Sequence, residues 1–382
     1  MILFKNKNTQ LDDLLARIAE QIQLDDTRKE RMETAYRAIE SLLNEDTGFF
    51  KDAVFEIYPQ GSVRIGTTVK PTGKNEFDLD IVVHIVMDWE KHSPQYIYNQ
   101  LKRVLQNSDR YKDKVELKNR CIRLNYAGDF HMDILPGCQE TSYDENKLVI
   151  PDRELGDWTS SNPRGYGNWF VDKSNLAKMT LLEKAYAMEN LPADEFSKKK
   201  PLQRAVQLIK MYRDEYFKSN PKMATSSIIL TTIAGEFYDG EESIFDTIEN
   251  IIHKIKQNFS IVGLVGNRLK ILNPINSQED FSDKWDDDKE PELYEHFKKF
   301  ILHLDKQWQI LKEENGVIEE ANTIKGLFGE KVFLRAQESQ VNQLEKARKL
   351  KNIGINTTTG VISESLVANT KPIKNNTFFG SE

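Results

Sequence analysis

The first part of the chain alternates between helical and strand-like spacing of its apolar positions. Apolar side chains recur at helical spacing across 9–23 and across the segment after Asp26 or Thr27, either of which can cap a second helix. Runs rich in β-branched and aromatic residues then predict strands. These runs are Val54–Tyr58, Leu79–Met87, Lys114–Leu117, Cys121–Tyr126 and Phe130–Leu135, with a predicted helix at Pro94–Asn107. The segment 127–129 predicts a hairpin turn, so this region is predicted to be an α+β unit on a small sheet.

Beyond about residue 172, helical spacing dominates. The predicted helices are Ser174–Asn190, Pro201–Lys218, Ser226–Tyr238, Ser243–Phe259 and Pro291–Glu314. The segment 318–352 is polar and lacks proline, which predicts one or two surface helices, and the residues from 355 onward are rich in Asn, Thr, Ser and Lys. We therefore predict four parts. They are a core with N-terminal helices at 1–171, a helical domain at 172–317, surface helices at 318–354 and a flexible tail at 355–382.

Composition narrows the class of protein. A chain of 382 residues can form two domains, and 39% hydrophobic with 30% charged residues is typical of a globular protein. The net charge of −7 argues against a general nucleic-acid binder. Cys121 and Cys138 form no Cys-x-x-Cys pair, so neither a zinc ribbon nor a disulfide scaffold is expected. The apolar start of the chain is too short for a signal peptide, and no apolar stretch approaches the length of a membrane span. These features predict a cytoplasmic protein.

Three acids carry the candidate chemistry. Asp78 and Asp80 flank Leu79 on a predicted strand, so their side chains point to the same face. Asp133 lies between apolar residues on another predicted strand. If the two strands are neighbours, the three carboxylates meet, and like charges that close repel each other unless cations neutralise them. Carboxylates suit magnesium, and two Mg²⁺ ions, with Mn²⁺ as an alternative, would clamp an in-line displacement at phosphorus. Asp133 is then the candidate for helping to remove the proton from the attacking hydroxyl.

A Gly-Ser turn precedes the acid pair and predicts a phosphate site. Gln60, Gly61 and Ser62 form this turn, in which the Ser62 hydroxyl and the amides around Gly61 can hold a β- or γ-phosphate. The turn lacks the Lys-Ser/Thr ending of a Walker loop, so a P-loop is excluded.

The predicted helical domain offers a second set of phosphate ligands. Lys210 lies on the polar side of its helix, and Ser226 and Ser227 open the next helix, where free amides suit an anion. A solvated lysine and a simple N-cap serine are the alternative interpretation. Together with the Gly-Ser turn, these residues predict a clamp for a nucleoside triphosphate.

These stretches resemble the DNA polymerase β-type nucleotidyltransferases and, more narrowly, the bacterial cGAS/DncV-like nucleotidyltransferases of CBASS anti-phage systems. The similar segments are 59–67, 77–80, 133–136, 161–166, 202–210, 273–274 and 281–285. The resemblance implies an α+β fold: a polymerase β-like core with a small mixed sheet, and an oligoadenylate-synthase-like helical domain that closes the cleft. It also implies the condensation of NTPs into a cyclic di- or trinucleotide second messenger, with release of pyrophosphate at each step.

The resemblance also suggests partners. The product would reach a downstream effector, and the ending Phe378-Phe379-Gly380-Ser381-Glu382 is similar to tails that an E1/E2-like ligase conjugates. The zinc module of animal cyclic GMP–AMP synthase is absent from the sequence, so no zinc-dependent DNA switch is expected. Two alternatives stay open. One is a linear oligonucleotide synthase or a transferase that modifies a macromolecule, and the other is a non-catalytic nucleotide-binding sensor or scaffold.

Overall fold

Helices and strands divide the chain into a sheet-containing part and a helical part. The computed structural model describes residues 7–71, 76–126, 128, 130–177, 198–264, 268–286, 292–313, 316–349, 354–356, 362–363 and 370–372. The helices are α1 (Lys7–Gln21), α2 (Asp26–Asn44), α3 (Phe49–Asp52), α4 (Gly61–Arg64), α5 (Pro94–Asn107), α6 (Pro163–Ser174), α7 (Pro201–Tyr216), α8 (Ser227–Phe237), α9 (Ile244–Leu264), α10 (Leu293–Lys312), α11 (Val317–Phe328) and α12 (Glu330–Lys349). The strands are β1 (Val54–Pro59), β2 (Phe77–Val86), β3 (Val115–Leu117), β4 (Ile122–Tyr126), β5 (Phe130–Gln139), β6 (Leu148–Asp152), β7 (Asp157–Ser161), β8 (Leu272–Asn273), β9 (Asn276–Asp280), β10 (Gly354–Asn356), β11 (Ile362–Ser363) and β12 (Thr370–Pro372).

A mixed seven-stranded sheet organises the first part. Its main path runs β1-β2-β5-β4-β3, and β6 joins β5 to β7. Only the β2–β5 pair is parallel within this sheet, and it places Asp80 directly opposite Asp133. The predicted hairpin between β4 and β5 is confirmed by the pairing of Tyr126 with Phe130. The two acid-bearing strands are therefore neighbours.

The alternation of side chains along β2 separates the core from the acids. Leu79, Ile81 and Val83 are fully buried and share one apolar cluster with residues of α2 and α5. Asp78 and Asp80 point to the other face because side chains on a strand alternate. The same strand thus stabilises the sheet on one face and presents carboxylates on the other.

A second apolar core holds the helical part together. It combines α1 with α7–α12, and Leu15, Ile18 and Leu208 are fully buried in it. Helix α1 contacts α7, α9 and α12. It therefore packs against the helical part, although we predicted it within the 1–171 unit.

Several sequence predictions are corrected by the structure. Helices α11 and α12, predicted to lie on the surface, bury Leu327 and Phe333 in the helical core, because their apolar positions form a narrow stripe within a polar sequence. Strands β10–β12 form a small antiparallel sheet within the segment 354–372, most of which we predicted to be a flexible tail. The cap of α2 is Asp25, whose carboxylate accepts from the Arg28 amide, and not Asp26 or Thr27.

Two further predictions fall mainly outside the described residues. The predicted helix Ser174–Asn190 is described only as far as 177, and the chain is helical earlier, in α6. The carboxyl-terminal segment 373–382, which carries the ligase hypothesis, is also outside the described part. In the part of the chain that is described, no helix has the length and apolar composition needed to cross a bilayer.

Candidate active site

A cleft of about 870 Å³ lies between the acid-bearing face of the sheet and the helical part. Most of the predicted site residues line it, namely Gln60, Gly61, Ser62, Asp78, Asp80, Lys210 and Ser227. Asp133 is next to Asp80 in the sheet register but is covered by an arginine. Ser226 is exposed at the N-cap of α8 and is not among the residues that line the cleft. Folding therefore brings at least two residues of each predicted cluster into a single cavity.

The carboxylate of Asp80 is the electrostatically most strained group of the cleft. Burial, followed by the charges of Asp78 and Asp133, raises its pKa to about 8. Among the described residues it has no hydrogen-bond or ion-pair partner. Desolvation also raises the pKa of Asp78, although 54% of that side chain remains exposed, so Asp80 is the group whose ionisation is costly. An unpaired carboxylate beside two others is the donor set that a divalent cation requires.

Arg123 on β4 partly neutralises the acids. Its Nε and Nη2 donate to the two oxygens of Asp133 at 2.7 and 2.8 Å, and Nη2 lies 3.4 Å from Asp78 Oδ1. The sheet register places Arg123 directly opposite Asp133. In the described residues no group of three His, Cys, Asp or Glu side chains is yet arranged around a common point as a metal site. The acids fit a divalent cation in type and position. Arg123 binds some of the carboxylate oxygens that would coordinate such a cation.

We expect Arg123→Met to increase the response of the protein to magnesium. Without the guanidinium the acids repel each other more strongly, and we expect the metal-free protein to lose about 1–3 kcal/mol of stability. Mg²⁺ then relieves a larger repulsion, so the magnesium-induced rise in melting temperature exceeds that of the unmodified chain. Thermal melts with EDTA or MgCl₂ measure both effects.

Arg120→Met is the matched control for this experiment. Arg120 also forms an Arg–Asp pair, with Asp152 at 2.7 Å, but does not contact the three acids. We expect it to change the melting temperature without changing the magnesium response. An unaltered magnesium response in Arg123→Met would contradict the neutralising role of Arg123.

The Gly-Ser turn is joined to the acid strand by backbone geometry. The Gln60 amide donates to the Asp80 carbonyl at 2.8 Å. Gly61 has φ of +59°, and a Cβ at this position would overlap the Asp80 carboxylate, so glycine is required there. The Ser62 hydroxyl accepts a hydrogen bond from Thr68 at 3.2 Å. The turn and the acids therefore hold their relative positions as one unit.

The chain around the start of α7 fixes the segment that follows the turn. Lys199 donates to the Gly66 carbonyl at 2.9 Å, and Gln203 and Gln207 donate to the carbonyls of residues 65 and 68 at 2.9 and 2.7 Å. Lys210 donates to Thr67 Oγ1 at 3.0 Å. This face of α7 is an interface that attaches the helical part to the Gly-Ser turn.

Lys210 is buried, not solvated as the alternative interpretation held. Burial and the nearby positive charge of Arg213 lower the pKa of its ammonium to about 7. An anion placed in the cleft would favour the charged form. The protonation state of Lys210 therefore depends on whether an anion is bound in the cleft.

Arg213 is a cleft residue that the sequence analysis missed. Its Nη1 donates to Ser227 Oγ at 2.8 Å, and its Nε and Nη2 donate to Asp214 at 2.9 and 2.7 Å. It follows Lys210 by three positions, so the two cations neighbour each other on the helix. The three-residue spacing of Lys210 and Arg213 is the sequence feature that could have predicted Arg213 as a cleft residue. Two cations and the Ser227 hydroxyl can together bind a polyphosphate.

The geometry defines the class of the protein. A parallel strand pair that carries acids beside a Gly-Ser turn, with a helical region supplying cations to the same cleft, is the architecture of a polymerase β-type nucleotidyltransferase. The predicted fold class is confirmed, since the sheet is mixed and the solved structures it resembles are of this type.

Comparisons with known proteins give the particular family. The family model of the Second Messenger Oligonucleotide or Dinucleotide Synthetase domain matches residues 9–174. The chain is 45% identical to a c-di-GMP synthase of Roseivirga ehrenbergii over 381 residues, with 100% of both chains covered. It is 24% identical to the cyclic dinucleotide synthase CdnG of Bradyrhizobium diazoefficiens, over 72% of this chain and 70% of CdnG. A structure of that CdnG in complex with GTP aligns with a TM-score of 0.69 and 21% identity, over 86% of this chain and 99% of CdnG.

The chain belongs to the CD-NTase family of metal-dependent nucleotidyltransferases. It is an enzyme that condenses NTPs into a cyclic oligonucleotide, as the sequence analysis predicted.

Proposed function

We propose that this enzyme makes cyclic di-GMP from two molecules of GTP. The observation that carries the proposal is the 45% identity to the c-di-GMP synthase of Roseivirga ehrenbergii, over 381 residues. The cleft offers the groups that the reaction needs, namely carboxylates for cations and cations for a triphosphate.

The reaction consists of two equivalent displacements. A ribose hydroxyl of one GTP attacks the α-phosphorus of the other, the bond to the β-phosphate oxygen breaks, and pyrophosphate leaves. The hydroxyl at the far end of the linear product then attacks the remaining α-phosphorus, and a second pyrophosphate leaves. Each step transfers one proton from the attacking hydroxyl. The overall balance is two GTP giving one cyclic dinucleotide and two pyrophosphates.

The three acids would form the metal-binding side of the site. Asp78 and Asp80 would hold two Mg²⁺ ions, and the unpaired state of Asp80 supports this role. Asp133 lies opposite Asp80 and would accept the proton of the attacking hydroxyl or position its ion. Bound magnesium supplies Lewis-acid activation of the hydroxyl and neutralises the leaving pyrophosphate.

The other wall of the cleft would bind the triphosphate. Gln60, Gly61 and Ser62 would contact it through the turn, and Lys210 with Ser227 would contact it from the helical part. Arg213 joins this set because it already holds the Ser227 hydroxyl. Ser226, being exposed, is better explained as part of the N-terminus of α8.

Purified protein with GTP and MgCl₂ is expected to give a phosphatase-resistant product that co-elutes with cyclic di-GMP and has its mass. Two pyrophosphates should appear per product. ATP, CTP and UTP, tested singly and mixed with GTP, show whether other bases enter the ring. A phosphatase-sensitive product would indicate a linear synthase, and a mixed cyclic product would contradict cyclic di-GMP specifically.

We further propose the cellular setting that the resemblance implied. The product would act in the cytoplasm on a separate effector protein in anti-phage defence. The carboxyl-terminal segment would be the substrate of an E1/E2-like ligase.

A further inference from the structure

A short hairpin from the helical part forms one wall of the cleft. Strands β8 and β9 pair with each other, and the Phe281 amide donates to the Ile271 carbonyl at 2.9 Å. Asn276 Nδ2 donates to Ser160 Oγ at 3.3 Å, which connects the hairpin to β7 of the sheet. The hairpin is therefore anchored at its base and against the sheet.

This hairpin presents Glu279 to the cleft in a fixed orientation. Asn273 Nδ2 donates to Glu279 Oε2 at 2.8 Å. The other end of the Asn273 amide accepts from the Ile275 amide at 3.0 Å, so the amide cannot reverse without losing a bond. Ser161 also donates a hydrogen bond to the carboxylate. Two donors thus hold the Glu279 carboxylate while leaving acceptor capacity on its oxygens.

Within the part of the chain that the structure describes, no cation forms an ion pair with Glu279. Burial raises its pKa, and the nearby guanidinium of Arg120 is already bound to Asp152 at 2.7 Å. A partly buried carboxylate in this state binds favourably to any ligand that offers it further N–H donors.

Flat apolar surfaces lie in the same cleft. Phe281 meets Tyr166 edge to face with ring centroids 5.7 Å apart, and both line the cleft. Ile228 also lines it and directly follows Ser227, which Arg213 holds on the triphosphate side. An apolar slot beside a polyphosphate site, with a carboxylate at its wall, has the features needed to bind a nucleobase.

We propose that Glu279 selects guanine by accepting hydrogen bonds from N1–H and the N2 amino group of the base. This inference rests on the proposed use of GTP. Guanine is the only common base whose Watson–Crick edge has two adjacent donors, and an ionised carboxylate only accepts. Adenine and cytosine each place an acceptor beside their amino group, and uracil has a single N–H between two carbonyl oxygens. Asn273 acts as a positioning residue for this carboxylate.

The test compares GTP with inosine triphosphate, which lacks only the N2 amino group. For the unmodified enzyme we expect kcat/KM with GTP to exceed that with ITP by about 10–100-fold, the usual effect of one hydrogen bond to a charged acceptor. Glu279→Gln keeps an oxygen for Asn273 but replaces one acceptor with a donor. We expect it to reduce the GTP/ITP ratio to nearly one, mainly through loss of activity with GTP. Initial rates of pyrophosphate release measure this ratio.

Gln278→Ala is the control, since Gln278 is the exposed neighbour on the same strand. Gln278→Ala should keep the GTP/ITP ratio of the unmodified enzyme. A purely structural role of Glu279 would lower activity with both nucleotides equally and leave the ratio unchanged, which overturns the proposal. Equal use of GTP and ITP by the unmodified enzyme overturns it as well, however the variant folds. A different cyclic product from the unmodified enzyme would contradict the proposal that it makes cyclic di-GMP. An unchanged GTP/ITP ratio in Glu279→Gln would contradict the role of Glu279, so the two results are distinguishable.

Discussion

The double variant Asp78→Asn, Asp80→Asn is expected to release pyrophosphate at least about a thousand-fold more slowly than the unmodified enzyme, since loss of the metal ligands removes several kcal/mol of transition-state stabilisation. Its stability should change in the opposite direction. Asp80 has no ion-pair partner among the described residues and is repelled by Asp78 and Asp133, so neutral amides relieve this repulsion. We expect the metal-free variant to melt at a higher temperature, by about 1–2 °C for each kcal/mol relieved. A coupled pyrophosphate assay and thermal melts in EDTA measure the two effects.

The pH dependence of stability provides a second measurement on the same variant. In the folded chain the pKa of Asp80 is about 8, well above its ordinary value of 3.8. The folded state therefore favours the protonated carboxyl. Its contribution to the free energy of unfolding is fully present below about pH 4 and is lost as the pH rises towards 8. Metal-free enzyme should lose stability across this range, and the double variant should lose less.

Asp88→Asn serves as the control for both measurements, because Asp88 is a surface acid that pairs with Lys91 away from the cleft. It should leave activity unchanged. Full activity in the double variant, or a melting temperature below that of the unmodified chain in EDTA, would refute the assignment of the acids.

The sheet was predictable where local periodicity determines structure. Helix α5 has the predicted bounds because Ser93 caps it and Pro94 opens it. The common face of Asp78 and Asp80 follows from the two-residue period of a strand. The parallel pairing of β2 with β5 does not follow from either strand alone, because each could pair with other neighbours. The sequence analysis left the adjacency of the two strands as a condition, and the register of Asp80 with Asp133 shows that it is met.

The missed features depend on contacts between distant parts of the sequence. Arg123 looks like an ordinary strand residue until β4 is placed opposite Asp133. The polar face of α7 looks solvated because its partners are backbone carbonyls more than 130 residues away, such as the one that Gln203 binds. The hairpin that carries Glu279 has too few apolar positions to predict a strand. Polar side chains that bind across domains leave no periodic signal.

Lys210→Met is expected to lower kcat/KM for GTP by about 100-fold, because removing one charged donor from a preorganised anion site costs on the order of 2.7 kcal/mol. The fold should persist, since methionine suits a buried position and the ammonium is already poorly solvated. Lys199→Met is the matched control: Lys199 is equally buried and also binds a carbonyl of the turn segment, but it is not among the residues that line the cleft. We expect Lys199→Met to change kcat/KM for GTP only a few-fold.

The titration of Lys210 makes this prediction sharper. In the nucleotide-free enzyme the ammonium loses its proton near pH 7, whereas a bound triphosphate stabilises the charged form and raises its pKa. Above pH 7, binding must take up a proton, so affinity for GTP should fall by up to about tenfold per pH unit. KM measured between pH 7 and 9 should therefore rise steeply in the unmodified enzyme and in Lys199→Met. In Lys210→Met, KM should already be high and nearly independent of pH. Parallel pH profiles in all three proteins would show that Lys210 does not contact the triphosphate.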